Sequence, residues 1–185
     1  MKTLLAVMLS ITVSNVIWPL NPSPEPGDPY VIINKQSNEL GYVEDGELKR
    51  KYKVATGKKE TLTPEGEFTV IVKAIRPYYR KSDIKGGDPK NPLGSRWIGF
   101  DAENTNGRVY GIHGTNRPSS IGSYVSNGCV RMFNEEVNQL FEEVEMGTKV
   151  WIESSPKSLH QIARSRNLLF DRKPVYIEED LGKLL

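Results

Sequence analysis

Short runs of β-branched and aromatic residues recur along this chain, and most of them end at glycine, proline or asparagine. The 185 residues include 12 prolines and 16 glycines, which interrupt the sequence too often for long helices. The strongest β-forming run spans residues 68–75. The pattern predicts a mainly β fold with a hairpin formed by residues 30–33 and 40–43. Further short strands are expected at 48–55, 97–100, 109–112 and 149–152.

In two segments, the apolar residues recur at the spacing of a helix. We expect Asn134 to cap the first helix, because asparagine accepts hydrogen bonds from free N–H groups at helix starts. Apolar residues then recur at helical intervals until Gly147. The second helix is expected over residues 157–169. Between the strands, residues 76–92 are polar and glycine-rich, and a loop of this length is often a binding element or lid.

Composition excludes several classes of protein. The 25 basic and 23 acidic residues leave a net charge of +2, and no helix-length basic stripe occurs, so we expect no nucleic-acid partner. Hydrophobic residues make up 37% of the chain, and the 16 glycines raise this to about 46%, which is ordinary for a globular protein. A single domain of this size buries roughly 70% of its unfolded surface, and therefore needs no disulfide or metal to fold.

The N-terminus has the pattern of an export signal. Lys2 precedes an uncharged apolar run that continues to Leu20, so residues 1–20 are predicted to be a secretory signal. The alternative is an uncleaved anchor, because residues 3–20 just reach the ~18 residues that span a bilayer. We expect membrane attachment only in that case. Residues 21–29 are proline-rich and predict an extended linker.

One histidine and the only cysteine could form a nucleophilic site. His113 ends a predicted strand, and Cys129 follows 16 residues later in a glycine-containing turn. A lone cysteine is more often a small buried hydrophobe, and a lone histidine a satisfied strand-end residue. Together they suggest a thiol and its base, because the thiolate is the reactive form. We expect a thiol of lowered pKa, with backbone N–H groups near Gly128 available to an oxyanion.

The segment Ser126-Asn127-Gly128-Cys129-Val130-Arg131, together with His113, resembles the catalytic motif of the YkuD-type L,D-transpeptidases, which cross-link bacterial peptidoglycan. The resemblance covers residues 30–152 and implies a mainly β, β-sandwich-like catalytic domain with a short packed helix. The catalytic domain is expected over 30–153, followed by a C-terminal extension with a helical tail over 154–185. Asn127 departs from the family, which often has histidine there, and this change is expected to affect substrate contacts or the thiol pKa. Upstream segments also match in the family's order: 55–57, 63–68, 91–94 and 97–100.

The resemblance implies a role for each matching residue. Cys129 attacks the carbonyl of the third residue of a donor tetrapeptide stem and expels the terminal D-alanine. His113 takes the thiol proton, and the Gly114 carbonyl orients its ring. The backbone N–H groups of Gly128 and Cys129 hold the oxyanion. Substrate contacts are assigned to Arg131, whose guanidinium suits a carboxylate, and to the loop residues Ser126 and Asn127. The family implies no cofactor or metal, peptidoglycan stem peptides as partners, carbapenem-type β-lactams as inhibitors and a place in the cell envelope.

Several alternatives stay open at this point. The acyl-enzyme could pass to water, as in an L,D-carboxypeptidase, because that choice depends on how well the acceptor side excludes water. A non-catalytic wall-binding module with an incidental thiol is the other possibility. Arg131 could form a structural ion pair with Glu135 or Glu136 instead of contacting substrate.

Overall fold

The computed structural model describes residues 27–59 and 62–170. Its strands are Tyr30–Asn34 (β1), Glu39–Glu44 (β2), Glu47–Lys53 (β3), Thr56–Gly57 (β4), Gly66–Ile75 (β5), Arg96–Phe100 (β6), Tyr110–His113 (β7), Tyr124–Ser126 (β8), Val130–Arg131 (β9) and Lys149–Glu153 (β10). The helices are Asn134–Glu143 (α1) and Leu159–Ser165 (α2).

Eight of the strands form one curled sheet in the order β3-β2-β1-β10-β5-β6-β7-β9. The predicted hairpin is confirmed, since β1 and β2 pair antiparallel with Tyr30 opposite Val43. Two pairs in the sheet are parallel, β1 with β10 and β7 with β9. Strands β4 and β8 form a separate two-stranded parallel sheet. The mainly β class with few helices is therefore confirmed.

Helix α1 packs on one face of the sheet through its apolar stripe. Val137, Leu140 and Phe141 are buried, and they join the main core with residues such as Ile98 and Ile112. The expectation that Asn134 caps this helix was wrong. The N-cap residue is Phe133, and no side chain caps the helix there. Asn134 is the first helical residue, and its amide bonds to two neighbouring segments instead.

Helix α2 covers a second apolar cluster that includes Tyr30 and Ile32 of β1. The helix is shorter than expected and begins after Ser158, which forms a capping box with Gln161. Just beyond it, the Arg166 guanidinium lies 3.5 Å from the ring centroid of Trp151 and 2.5 Å from a Glu67 carboxylate oxygen. These contacts hold residues 158–166 against the sheet.

Some sequence predictions lie outside the described residues. These are the signal or anchor over 1–20, most of the linker over 21–29 and the end of the extension beyond Phe170. Within 27–59 and 62–170, no helix has the length and apolar character to cross a bilayer.

Candidate active site

His113 is the last residue of β7, and neighbouring groups fix its ring. The side chain is buried, and the imidazole stacks on Trp97 with ring centroids 5.5 Å apart, because the two residues are directly paired across β6 and β7. Its Nδ1 lies 2.6 Å from the carbonyl oxygen of Gly114. A neutral histidine must donate from Nδ1 to make this bond, and that leaves the Nε2 lone pair free to accept a proton.

Burial lowers the pKa of His113 to about 4, and the nearby charge of Arg131 acts in the same direction. Hydrogen bonding to the backbone of Gly114 and Leu93 opposes the shift, since carbonyl groups favour the charged ring. The imidazole is therefore neutral at neutral pH, which is the form that a general base requires.

Cys129 is held by a tight turn that ends at β9. Gly128 has φ of 131°, and a Cβ at this position would lie 2.6 Å from the carbonyl oxygen of Leu62, so glycine is required. The backbone N–H of Gly128 donates to the hydroxyl of Ser126, which is buried, over 3.0 Å. Asn127, between them, is exposed. Ser126 thus stabilises the turn that presents the thiol.

The thiol of Cys129 is protonated in its resting position. Its Sγ donates to the carbonyl oxygen of Val109 over 3.3 Å. Burial raises the pKa of Cys129 to about 11, although the Gly111 backbone and the charge of Arg131 oppose the shift. The expected lowering of the thiol pKa is therefore not what the structure indicates. In the described chain no hydrogen bond joins Cys129 to His113, and both members of the pair rest in neutral form.

Arg131 is paired with His113 across the parallel strands β7 and β9, which places the two side chains on one face of the sheet. Its Nε is buried and has no hydrogen-bond partner in the described chain. The described residues also contain no ion pair between Arg131 and Glu135 or Glu136, the alternative that the sequence left open. A guanidinium without a partner beside the cysteine and histidine suits an anionic group of a bound ligand.

A cavity of about 750 Å³ opens at Cys129. One wall is made by residues 77–81 of the loop over 76–92, which the sequence suggested as a binding element or lid, together with Leu93 just beyond it. The rest comes from β5, Trp97 and the loop that leads into β7. A cavity of this volume is large enough for a peptide segment of a few residues. Across residues 27–59 and 62–170, no three His, Cys, Asp or Glu side chains are grouped to hold a metal ion.

Asn134 connects the segments around the histidine. Its Oδ1 accepts from the backbone N–H groups of Ser95 and Thr115, each at 3.2 Å, and its Nδ2 donates to the Thr115 carbonyl over 3.0 Å. A Cβ on Gly114 would lie 2.1 Å from this Oδ1, so the amide requires glycine as its neighbour. Asn134 thereby fixes the backbone whose Gly114 carbonyl orients His113. Sequence reasoning missed this role, because asparagine before two glutamates is also a typical helix start.

Replacing Asn134 by leucine should lower the free energy of unfolding by about 2 kcal/mol, because two backbone N–H groups lose their acceptor. Acylation of Cys129 by a carbapenem, the class of inhibitor that the resemblance implies, should slow by about tenfold, because His113 would be misplaced. Asn134→Asp keeps an acceptor for the two N–H groups but loses the Nδ2 donor to the Thr115 carbonyl, so it should recover only part of the rate. Chemical denaturation and stopped-flow acylation measure the two effects. Asn138→Ala is the matched control, since Asn138 bonds only the Ser95 hydroxyl in this cluster. Equal losses in the Asn134 and Asn138 variants would contradict the positioning role.

Several known proteins are similar to this chain in sequence. The sequence model of the L,D-transpeptidase catalytic domain, YkuD, matches residues 28–152. YqjB of Bacillus subtilis, assigned as an L,D-transpeptidase, is 56% identical over 162 residues, which are 88% of this chain and 92% of that protein. YkuD of the same organism, with the same assignment, is 33% identical over 138 residues, 75% of this chain and 74% of that one.

Solved structures show the same fold. The catalytic domain of the Enterococcus faecium L,D-transpeptidase is 25% identical with a TM-score of 0.53, covering 69% of this chain and 98% of that one. The same catalytic domain is also known acylated by ertapenem, with 23% identity, a TM-score of 0.52 and coverage of 70% of this chain and 100% of that one.

Proposed function

Because this chain belongs to the YkuD family of L,D-transpeptidase catalytic domains, we propose that it is a peptidoglycan L,D-transpeptidase that uses Cys129 as its nucleophile. The observation that carries the proposal is the arrangement of His113: a neutral ring with Nδ1 bonded to Gly114, on the strand next to the cysteine turn. The opening of Cys129 into a peptide-sized cavity supports it.

The proposed reaction begins with a donor tetrapeptide stem in the cavity. The S–H of Cys129 turns from the Val109 carbonyl towards His113, and Sγ attacks the carbonyl carbon of the third residue as Nε2 takes the proton. The tetrahedral intermediate then collapses to a thioester, and the departing amine of the terminal D-alanine receives the proton from His113. In the second half, an acceptor amine attacks the thioester, His113 takes its proton, and the proton returns to the sulfur. The pair thus ends neutral, as it began.

Other residues support these steps in the proposal. Arg131 contacts a stem carboxylate with its unpartnered guanidinium, and Asn127, exposed beside the cysteine, contacts substrate. The backbone N–H of Cys129 is the first candidate for an oxyanion donor. The N–H of Gly128 already donates to Ser126, so it contributes only if this bond is shared or exchanged when substrate binds.

The proposal is tested by product analysis. The full chain is incubated with purified disaccharide-tetrapeptides, and the products are followed by mass spectrometry with Cys129→Ala as control. We expect cross-linked dimers that have lost one D-alanine, absent with the control. Tripeptide monomers without cross-linked dimers would indicate an L,D-carboxypeptidase instead of a transpeptidase. No Cys129-dependent product would favour a non-catalytic wall-binding module.

We also propose that carbapenems acylate Cys129. The ertapenem adduct of the E. faecium catalytic domain supports this, since that domain shares the fold.

A cleaved signal or a retained anchor over residues 3–20 would place the enzyme in the cell envelope, where peptidoglycan is found. That location is a proposal from the apolar N-terminal run.

A further inference from the structure

All the charged residues that line the cavity at Cys129 are cations. Among its lining residues are four cations, Lys73, Arg80, Lys81 and Arg108, and none of the described lining residues is Asp or Glu. The whole chain has a net charge of only +2, so this concentration is local. Like charges around one concave surface repel each other, and the surface therefore favours an anionic occupant.

Lys73 is not available to a ligand, because its ammonium is already committed. Its Nζ donates to the carbonyl oxygens of Phe141 and Val144, each at 2.6 Å, and lies 4.2 Å from the centroid of the Phe141 ring. These carbonyls belong to the C-terminal end of α1, where a cation is stabilised. Lys73 thus anchors the helix to the cavity wall and leaves recognition to the other three cations.

Arg80, Lys81 and Arg108 have no such commitment. All three are exposed, and none has a side-chain hydrogen bond or ion pair in the part of the chain that the structure describes. Arg80 and Lys81 belong to a short 3-10 turn of the lid, while Arg108 precedes the strand that leads to the histidine. The acid of the lid turn, Asp83, accepts from the Tyr78 hydroxyl. The three cations, which we call the cationic rim, therefore approach the cavity from two separate segments.

We propose that the cationic rim selects donor stems by charge: it binds stems with a free side-chain carboxylate in preference to the same stems with a carboxamide. This inference rests on the proposed function, because it places the donor in this cavity. The carboxylate in question is additional to the one assigned to Arg131. Arginine at two of the three positions suits bidentate contact with a carboxylate, and a neutral amide offers only one acceptor oxygen.

The test uses two tetrapeptide stems that differ only in a free carboxylate or carboxamide at the side chain of one residue. Their affinities for the full-length Cys129→Ala protein are measured by calorimetry, and their turnover is measured with the unaltered chain. We expect the carboxylate form to bind about tenfold more tightly at low salt. The preference should fall to about twofold or less in Arg80→Gln/Arg108→Gln, and it should decrease with added salt.

The matched control is Lys51→Gln/Lys157→Gln, which removes the same charge from exposed positions outside the cavity lining. This control should keep the preference. Equal affinity for the two stems, or a preference unchanged in Arg80→Gln/Arg108→Gln, would overturn the proposal.

The binding measurement distinguishes failure of this proposal from failure of the proposed function. If the carboxylate stem binds more tightly but neither stem is turned over, the anion site is supported and the proposed transpeptidase function is contradicted. If both stems are turned over but bind equally well, the proposed function is supported and the anion site is contradicted. Alkylation by uncharged iodoacetamide should be unchanged in both double variants, which checks that the cavity is intact.

Discussion

Replacing His113 by glutamine should slow the acylation of Cys129 by ertapenem by about 10³-fold, which is within the usual contribution of a general base. The reason is that the resting thiol is protonated and burial keeps its pKa near 11. Without Nε2 of His113, no neighbouring base takes the proton in the step that forms the carbon–sulfur bond. Glutamine fills a similar volume, so the loss should come from the missing base. Mass spectrometry at timed intervals measures the rate.

The pH dependence distinguishes this loss from a folding defect. His113, with a pKa of about 4, is neutral above pH 5, so the unaltered protein should have a nearly flat rate between pH 6 and 9 and lose activity only as the pH falls through 4. The glutamine variant depends on free thiolate, and its rate should rise about tenfold for each pH unit over the same range. A flat profile in the variant would contradict the assignment of His113 as the base.

Alkylation of Cys129 by iodoacetamide should be slow at neutral pH, about 30-fold slower than for an ordinary cysteine of pKa near 8.5. Raising the pKa to about 11 lowers the thiolate fraction at pH 7 by about 300-fold. The more basic sulfur is intrinsically about tenfold more nucleophilic, which offsets part of the loss. The rate should continue to rise beyond pH 10. Since Cys129 is the only cysteine, intact mass reports its alkylation directly.

Unfolding in urea supplies the reference for this measurement. In the unfolded chain the thiol regains its ordinary pKa, and the rate of alkylation at neutral pH should increase by about 30-fold. Arg131→Gln removes a charge that lowers the thiol pKa, and should make alkylation slower still. An inflection near pH 8.5 in the folded protein would contradict the raised thiol pKa, and an inflection well below pH 8.5 would instead indicate a thiolate–imidazolium pair at rest.

The fold could be predicted from the sequence, and His113 and Cys129 could be identified as candidates, because both inferences depend on local patterns. Runs of β-branched residues and turn residues are sufficient to place most of β5, expected over 68–75 and observed over Gly66–Ile75, and the first hairpin. His113 and Cys129 were identifiable because a strand end and a glycine turn are short-range features, and the parallel pairing of β7 and β9 then brings their backbones together.

The remaining features depend on contacts between distant segments. Asn134 has the local signature of a helix cap, but its amide bonds Ser95 and Thr115, which are 39 and 19 residues away. The direction of the thiol pKa depends on how deeply Cys129 is covered, and no local motif encodes that. The cationic rim joins residues almost 30 positions apart, so no charge cluster is visible in the linear sequence.

The protonated state of the Cys129 thiol also affects how fast the protein is oxidised. Peroxides and disulfides react with thiolates, and progressive oxidation of a cysteine to sulfinic or sulfonic acid is irreversible for most proteins. A sulfur that stays protonated reacts slowly with such oxidants. Because Cys129 is the only cysteine of the chain, no second thiol can trap the first oxidation product as an intramolecular disulfide, so a sulfur that rests in the protonated form slows the loss of the thiol.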